Sequence, residues 1–330
     1  MKALLYGLGP VGCRIAGLGL RRGLRYVGAV DTDPEKVGRD IGQVIGLEEK
    51  LGAAVSSDAR ELLAKTGGVP VIHATGSSLK VVLPQLIDLL KAGCTVVSTC
   101  EELSYPYLTH PKEAGLLDEV ARKNGGRVLG TGVNPGFVMD VLPLCLSTAV
   151  QEISAVRVER VVDAAGRRQP LQKKVGVGLS PGEFEAGVRE GWIKHVGLPE
   201  SIHMISAGLG WPLDRVEETI EPVISRERLA SGYVPVEPGM VAGIHQVAIG
   251  YVRDLGAGIK LDLTMVVDGQ GLDRVTLDSV PPLTMEVKGG VHGDLGTAAV
   301  VINAIHGLAS LEPGLHTMLD LVRAHFGRLT

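Results

Sequence analysis

The sequence predicts an α/β protein in two parts: a doubly wound parallel sheet at the N-terminal end, then a second α+β domain with a mixed or antiparallel sheet. Two observations carry this. Over residues 1–150 short apolar strands alternate with helical stretches, the pattern of a parallel sheet with helices on both faces. After Gln151 the texture changes to long, β-branched alternating runs, which suit an antiparallel or mixed sheet. A length of 330 residues accommodates two domains. They are read as 1–150 and 151–291, with a helical C-terminal segment, 292–330, packing back on the first domain.

The first strand, Lys2 to Tyr6, runs into Gly7-Leu8-Gly9-Pro10-Val11-Gly12 and then into a helical pattern. The next strand, Tyr26 to Val30, ends in Asp31, so spacing and context fit a dinucleotide-binding (Rossmann) fingerprint. Gly7 permits the tight turn, Gly9 lets the backbone approach a pyrophosphate, and Gly12 lets the helix pack on the strand. Pro10 and Val11 open the helix whose N-terminus faces the anion. Asp31 can accept hydrogen bonds from both ribose hydroxyls and repel a 2′-phosphate, which favours NAD(H). Asp31-Thr32-Asp33-Pro34 also reads as a plain helix cap, and Lys36 or Arg39 could reach a phosphate, so NADP(H) stays possible.

The remaining strands of the first part are Val69 to Ala74, ending at Thr75-Gly76-Ser77, then Thr95 to Thr99 and Arg127 to Gly130. Helical stretches at Leu79 to Ala92 and Leu116 to Lys123 separate them, with right-handed crossovers. In the second part the strands are Ile153 to Val162, Val216 to Ser225, Val241 to Arg253, Ile259 to Val267 and Arg274 to Leu277. A glycine-rich basic segment, Ala164 to Gly178, and helical stretches near Phe184 to Glu190 and Pro199 to Ala207 are read as the roof of a cleft. From Asp294 a capped helix runs toward Phe326.

Composition excludes several classes. The net charge is −4 with acids and bases interspersed, so there is no basic stripe for nucleic acid and no polybasic membrane patch. No apolar run reaches membrane-spanning length, and the N-terminus starts in a core strand without a signal-peptide pattern. A cytoplasmic enzyme with a small-molecule substrate is expected. Cys13, Cys94, Cys100 and Cys145 form no CxxC pair and have no His at ligand spacing, so they read as reduced core residues and no metal site is expected.

Chemistry in an open parallel sheet sits at the carboxyl ends of its strands. Thr75, Gly76 and Ser77 are small enough to pass a cofactor, or make a simple turn. Glu101 and Glu102 leave the next strand together, as candidate acid-base groups or as a capping pair. Asn134, before Pro135, offers its amide to a carboxamide or substrate, or caps a helix. In the roof, His195 is a substrate contact or a surface histidine of a glycine-rich turn. Arg167, Arg168, Lys173 and Lys174 bind a substrate carboxylate or are solvated charges.

Together GLGPVG, VDTDPEKVGRD, ATGSS, STCEELSYP, GTGVNPGF, HVGLPES and GGVHGDLGTAAVVINAI resemble the 2,4-diaminopentanoate dehydrogenase family, within the dihydrodipicolinate reductase-like group. The chain also looks like the related amine dehydrogenases that act on simple amines and ketones. The resemblance covers nearly the whole chain. It implies a Rossmann domain, a substrate and dimerisation domain, a homodimer, and hydride transfer between a nicotinamide cofactor and an amine-bearing carbon. The implied product from the diamino acid is 2-amino-4-oxopentanoate, with ammonia. The implied catalytic carboxylate lies in the Glu101-Glu102 pair, with Glu102 favoured; Asn134 holds the nicotinamide end and His195 lies over the substrate. A cofactor-binding regulator without turnover is the alternative from another class.

Overall fold

Strand and helix alternate from the start of the chain: β1 (Lys2–Tyr6), α1 (Pro10–Arg21), β2 (Arg25–Val30), α2 (Ile41–Val44), β3 (Val55–Ser56), α3 (Ala59–Thr66), β4 (Val71–His73), α4 (Leu79–Lys91), β5 (Thr95–Ser98), a 3-10 turn over Glu101–Leu103, α5 (Pro111–Asn124) and β6 (Arg127–Gly130). Next come α6 (Val141–Ser147), β7 (Glu152–Asp163), α7 (Gln169–Lys174), α8 (Pro181–Glu190), α9 (Leu198–Leu209), β8 (Leu213–Ile224), β9 (Val241–Val252), β10 (Gly256–Val266), β11 (Leu272–Val280) and β12 (Leu283–Lys288). The chain ends in α10 (Gly293–Ala309), β13 (Gly314–His316) and α11 (Met318–Leu321). This computed structural model describes residues 1–322.

The described residues divide into two units, one formed by Met1–Phe137 with the chain from His292, the other by Val138–Val291. In the first, seven parallel strands lie in the order β13-β6-β5-β4-β1-β2-β3. The order reverses between β1 and β4, and in such sheets the crevice outside the carboxyl ends at that point receives the ligand. Val71, Val96 and Val128 of β4, β5 and β6 pack with Leu79, Leu86 and Leu90 of α4 and Leu117 and Ala121 of α5. Each fully buried leucine there contributes roughly 1.5–3 kcal/mol, which makes this sheet a rigid platform for its loops.

In the second unit six strands lie in the order β12-β11-β7-β10-β9-β8. Only β7 and β10 run parallel; the other neighbours are antiparallel. Strand alternation places Val156, Val158, Ile244, Ala248, Leu261, Leu263, Val275 and Leu277 on the buried face. The other face carries partly exposed Glu159, Lys260, Asp262, Arg274 and Thr276. The two-residue periodicity seen in the sequence is therefore the signature of a sheet with one face covered.

Several features differ from the sequence reading, which also passed over the short β3 and α3. The first unit ends at Phe137 rather than at 150, because α6 packs with α9, β7 and β11 and Asp140 accepts a hydrogen bond from Ser201 Oγ at 2.7 Å. The C-terminal segment is not helical throughout: after α10, which packs on α1, Gly314–His316 pairs in parallel with β6 as the edge strand of the first sheet. Its residues 323–330 lie outside the described residues. β12 was not anticipated, since its run Leu283–Lys288 is short and follows a proline pair.

Candidate active site

The loops after β1, β4 and β5 meet at the switch in strand order. Gly7 has φ +96°, and a Cβ there would lie 2.5 Å from the Ala74 carbonyl oxygen. No L-side chain fits either the angle or the space. A Cβ on Gly12 would lie 2.1 Å from the Gly7 carbonyl oxygen, so α1 sits directly on the turn. Gly9, the N-cap of α1, has no neighbour within 4 Å of where its Cβ would stand. With Pro10 in the first turn and no acidic residue there, the helix presents an open, electropositive N-terminus. This cradle fits the pyrophosphate of a dinucleotide.

Asp31 closes the cradle. Its Oδ2 accepts the Leu8 N–H at 2.7 Å and its Oδ1 the Asp33 N–H at 2.9 Å. Each oxygen retains a lone pair for a ribose hydroxyl. Lys36 Nζ lies 3.8 Å from Asp31 and 2.9 Å from Asp33, and this pairing draws its charge toward the acids.

The two glutamates, adjacent in sequence, have different fates. Glu102 Oε2 accepts the Leu79 N–H at 2.7 Å and lies 3.2 Å from His110 Nε2. It caps α4 in place of Ser78, whose side chain makes no capping bond. The Glu101 carboxylate is partly exposed and has no hydrogen bond or ion pair among the described residues. Successive residues of a 3-10 turn point about 120° apart, so one carboxylate is committed to the scaffold while its neighbour is available for chemistry. The turn is pinned on both sides of Glu101: Cys100 Sγ donates to the Ser77 carbonyl at 3.1 Å, and Glu102 N–H donates to the same oxygen at 3.3 Å. Burial, then the charges of Glu101 and Glu102, push the Cys100 thiol well up, which makes it a poor nucleophile.

Thr75 Oγ1 donates to Gln85 Oε1 at 2.7 Å, while Ser77 contributes its carbonyl as above. Gly76 is not demanded by space, since a Cβ there would make an ordinary 3.5 Å contact with Val82. Asn134 is buried in the turn that follows β6. No helix begins at Pro135; the chain stays in turns until Asp140, whose carboxylate accepts the Val141 N–H at 2.6 Å and starts α6.

The other proposed substrate contacts, His195, Arg168 and Lys173, belong to the second unit. His195 lies between α8 and α9, and Gln246 clamps its backbone: the N–H donates to Gln246 Oε1 and the carbonyl accepts from Gln246 Nε2, both at 2.8 Å. Gln246, Leu263, Arg160 and Asp273 form one cross-strand row on the covered face of the mixed sheet. Arg160 and Asp273, both buried, pair at 2.5 Å and together bind the Val291 backbone through its carbonyl and its N–H, each at 2.7 Å. Arg168 stands at the N-cap of α7, with Lys173 and Lys174 in its last turn, where cations complement the helix dipole. Buried Gln172 ties this segment to the Ala165 and Arg167 carbonyls.

The sequence reading missed His73, Gln85, His110, Gln246, Arg160 and Asp273. Each acts on a residue of another element or loop, and only a buried polar residue within an apolar strand, as at His73 and Gln246, hints at such a role. No group of three or more His, Cys, Asp or Glu side chains among the described residues is arranged to hold a metal ion.

A family model described as the 2,4-diaminopentanoate dehydrogenase C-terminal domain matches residues 137–326. The 2,4-diaminopentanoate dehydrogenase of Acetoanaerobium sticklandii is 30% identical over 330 residues, covering 97% of this chain and 93% of that protein. An amine dehydrogenase of Streptomyces virginiae is 26% identical, covering 100% of this chain and 98% of that protein. The solved amine dehydrogenase of Mycobacterium smegmatis superposes with a TM-score of 0.87 at 26% identity, covering 99% of this chain and 97% of that one.

Proposed function

Because the chain belongs to the 2,4-diaminopentanoate dehydrogenase family, we propose that it oxidises 2,4-diaminopentanoate to 2-amino-4-oxopentanoate and ammonia, or runs the reverse reductive amination. At the coarser level it is a nicotinamide-dependent dehydrogenase with a small amine substrate. The bound nicotinamide supplies the acceptor for the hydride that leaves the amine carbon. Gly7, Gly9, Pro10, Val11 and Gly12 hold its pyrophosphate, Asp31 its adenosine ribose, and Thr75, Gly76, Ser77 and Asn134 border its reactive end. Asp31 favours NAD(H), because a 2′-phosphate would meet its charge.

The observation that carries the mechanism is the unengaged Glu101 carboxylate on a pinned turn beside the Ser77 carbonyl. Glu101 takes the proton of the substrate ammonium, leaving the nitrogen lone pair free to expel hydride from the adjacent carbon. Hydride loss leaves an iminium; Glu101 releases its proton to solvent, then deprotonates the water that adds to the iminium carbon, and returns that proton to the nitrogen, so that collapse of the carbinolamine releases ammonia and the ketone. His195, Arg168 and Lys173 are the proposed substrate contacts, the cations pairing with the diamino acid's carboxylate. A simple alkyl amine is the second reading, since two of the similar proteins are named amine dehydrogenases. A homodimer formed through the uncovered face of the mixed sheet completes the proposal.

Reduced-cofactor formation from NAD and NADP, with 2,4-diaminopentanoate and with a short alkyl amine, tests this. The diamino acid and NAD should give the higher kcat/KM. Exclusive turnover of the alkyl amine would transfer the assignment to the second reading, and NADH binding without any turnover would favour a regulator. Glu101→Gln should lower kcat by about a hundredfold or more at unchanged NADH affinity. Glu102→Gln should lose less than about tenfold in kcat and about 1 kcal/mol of stability as the α4 cap weakens. The reverse ranking would return the base role to Glu102.

A further inference from the structure

A chain of hydrogen bonds runs beneath the Glu101 turn and takes part in no step above. His73, the last residue of β4, is fully buried, with Nε2 2.8 Å from Gln85 Oε1 and 3.0 Å from Thr75 Oγ1. Its Nδ1 lies 2.8 Å from the hydroxyl of Ser98, the equally buried last residue of β5. Ser98 Oγ in turn accepts the Cys100 N–H at 3.1 Å.

The direction of each bond follows from the partners. Gln85 Oε1 is an acceptor only, so His73 Nε2 carries the hydrogen. Burial lowers the His73 pKa to about 4, so the ring is neutral and Nδ1 is an acceptor. The Ser98 hydroxyl must then donate to Nδ1, which turns its lone pairs toward the Cys100 N–H. Gln85 thus sets the His73 tautomer, the tautomer sets the Ser98 hydroxyl, and the hydroxyl holds the backbone one residue before Glu101.

We propose that His73, acting through Ser98, is a positioning residue for the Cys100–Glu102 turn and fixes the aim of the Glu101 carboxylate during amine oxidation. This rests on Glu101 being the base. The turn is anchored at Cys100 by Ser98 and Ser77 and at Glu102 by Leu79, while Glu101 between them has no anchor of its own. Its direction is inherited from its neighbours.

Ser98→Ala removes the hydroxyl without adding volume, and a double-mutant cycle with Glu101→Gln shows whether the effect runs through the carboxylate. In the otherwise native enzyme kcat should fall about tenfold at unchanged NADH affinity, as a displaced base requires. In the Glu101→Gln background the same change should alter kcat by less than about twofold. Gln85→Leu, which removes the acceptor at a partly exposed site, should repeat the loss, and Gln85→Glu, which keeps an acceptor there, should restore it. Equal kcat losses from Ser98→Ala in both backgrounds would overturn the proposal alone, as would an unchanged kcat in the single variant. Wild-type kcat in Glu101→Gln itself would remove the base assignment and this proposal with it.

Discussion

Each sheet buries a strong polar cluster at the strands, and the two are wired differently. In the mixed sheet Arg160 and Asp273 neutralise each other across β7 and β11, and their remaining groups bind the Val291 backbone. That cluster is closed on itself. In the parallel sheet His73 is neutral, and its chain of bonds ends at the Cys100 N–H, on the turn that carries Glu101. A closed ion pair fixes the course of the backbone; the open chain of neutral hydrogen bonds reaches the turn whose Glu101 is the proposed base. The contrast separates residues that hold the fold from those proposed to aim the base.

Removing one charge from the closed cluster has the largest expected effect. Asp273→Asn preserves shape but leaves Arg160 buried and unpaired, a loss of about 3–5 kcal/mol. Denaturant midpoints at constant slope would read it, and a loss under about 1 kcal/mol would erase the contrast. Replacing both partners with apolar residues of similar volume should cost far less than the single change.

Acid probes the open cluster. His73 has a folded pKa of about 4 against 6.5 for the ordinary side chain. Between these values the unfolded chain binds a proton that the folded chain refuses, so stability falls as pH drops from 6.5 toward 4, by on the order of 3 kcal/mol. His73→Asn should show a flatter stability profile in that window, whatever its absolute stability. An unchanged slope would place the acid sensitivity elsewhere.

The smallest effect is expected on the uncovered face of the mixed sheet. There Arg274 pairs with Glu159 at 2.6 Å and Glu286 at 2.7 Å, all about two-fifths exposed. In a free monomer Arg274→Ala should leave the denaturant midpoint almost unchanged, with any loss shrinking further at high salt. A clearly larger loss that depends on protein concentration would indicate that the face is covered by a second copy.

The cradle was legible because a local rule governs it. Gly7, Gly9 and Gly12 are demanded by backbone angles and contacts within a short stretch, and Asp31 ends the next strand. The alternating runs of β7 to β11 were legible for the same reason, since covering one face imposes a period of two. The residues alone were readable as a pair, and the resemblance favoured Glu102 as the base, whereas the hydrogen bonds of Glu102 support Glu101 instead. Which one is spent on the scaffold depends on the Leu79 N–H, 23 residues away, and on His110. One of the two readings of Asn134-Pro135 was a helix start, yet the helix waits for Asp140, whose carboxylate bonds both Val141 and Ser201.

By itself the sequence determined the two sheets, the dinucleotide turn, the family and the short list of candidate groups, because these follow from residue periodicity and from conformations that few residues can adopt. Only the tertiary structure decided which carboxylate is left unengaged, that Gln246 holds the His195 backbone, and that a buried histidine underlies the turn carrying Glu101. Those assignments depend on hydrogen bonds between residues that share no local pattern, and a donor meets its acceptor only once the strands have been placed side by side.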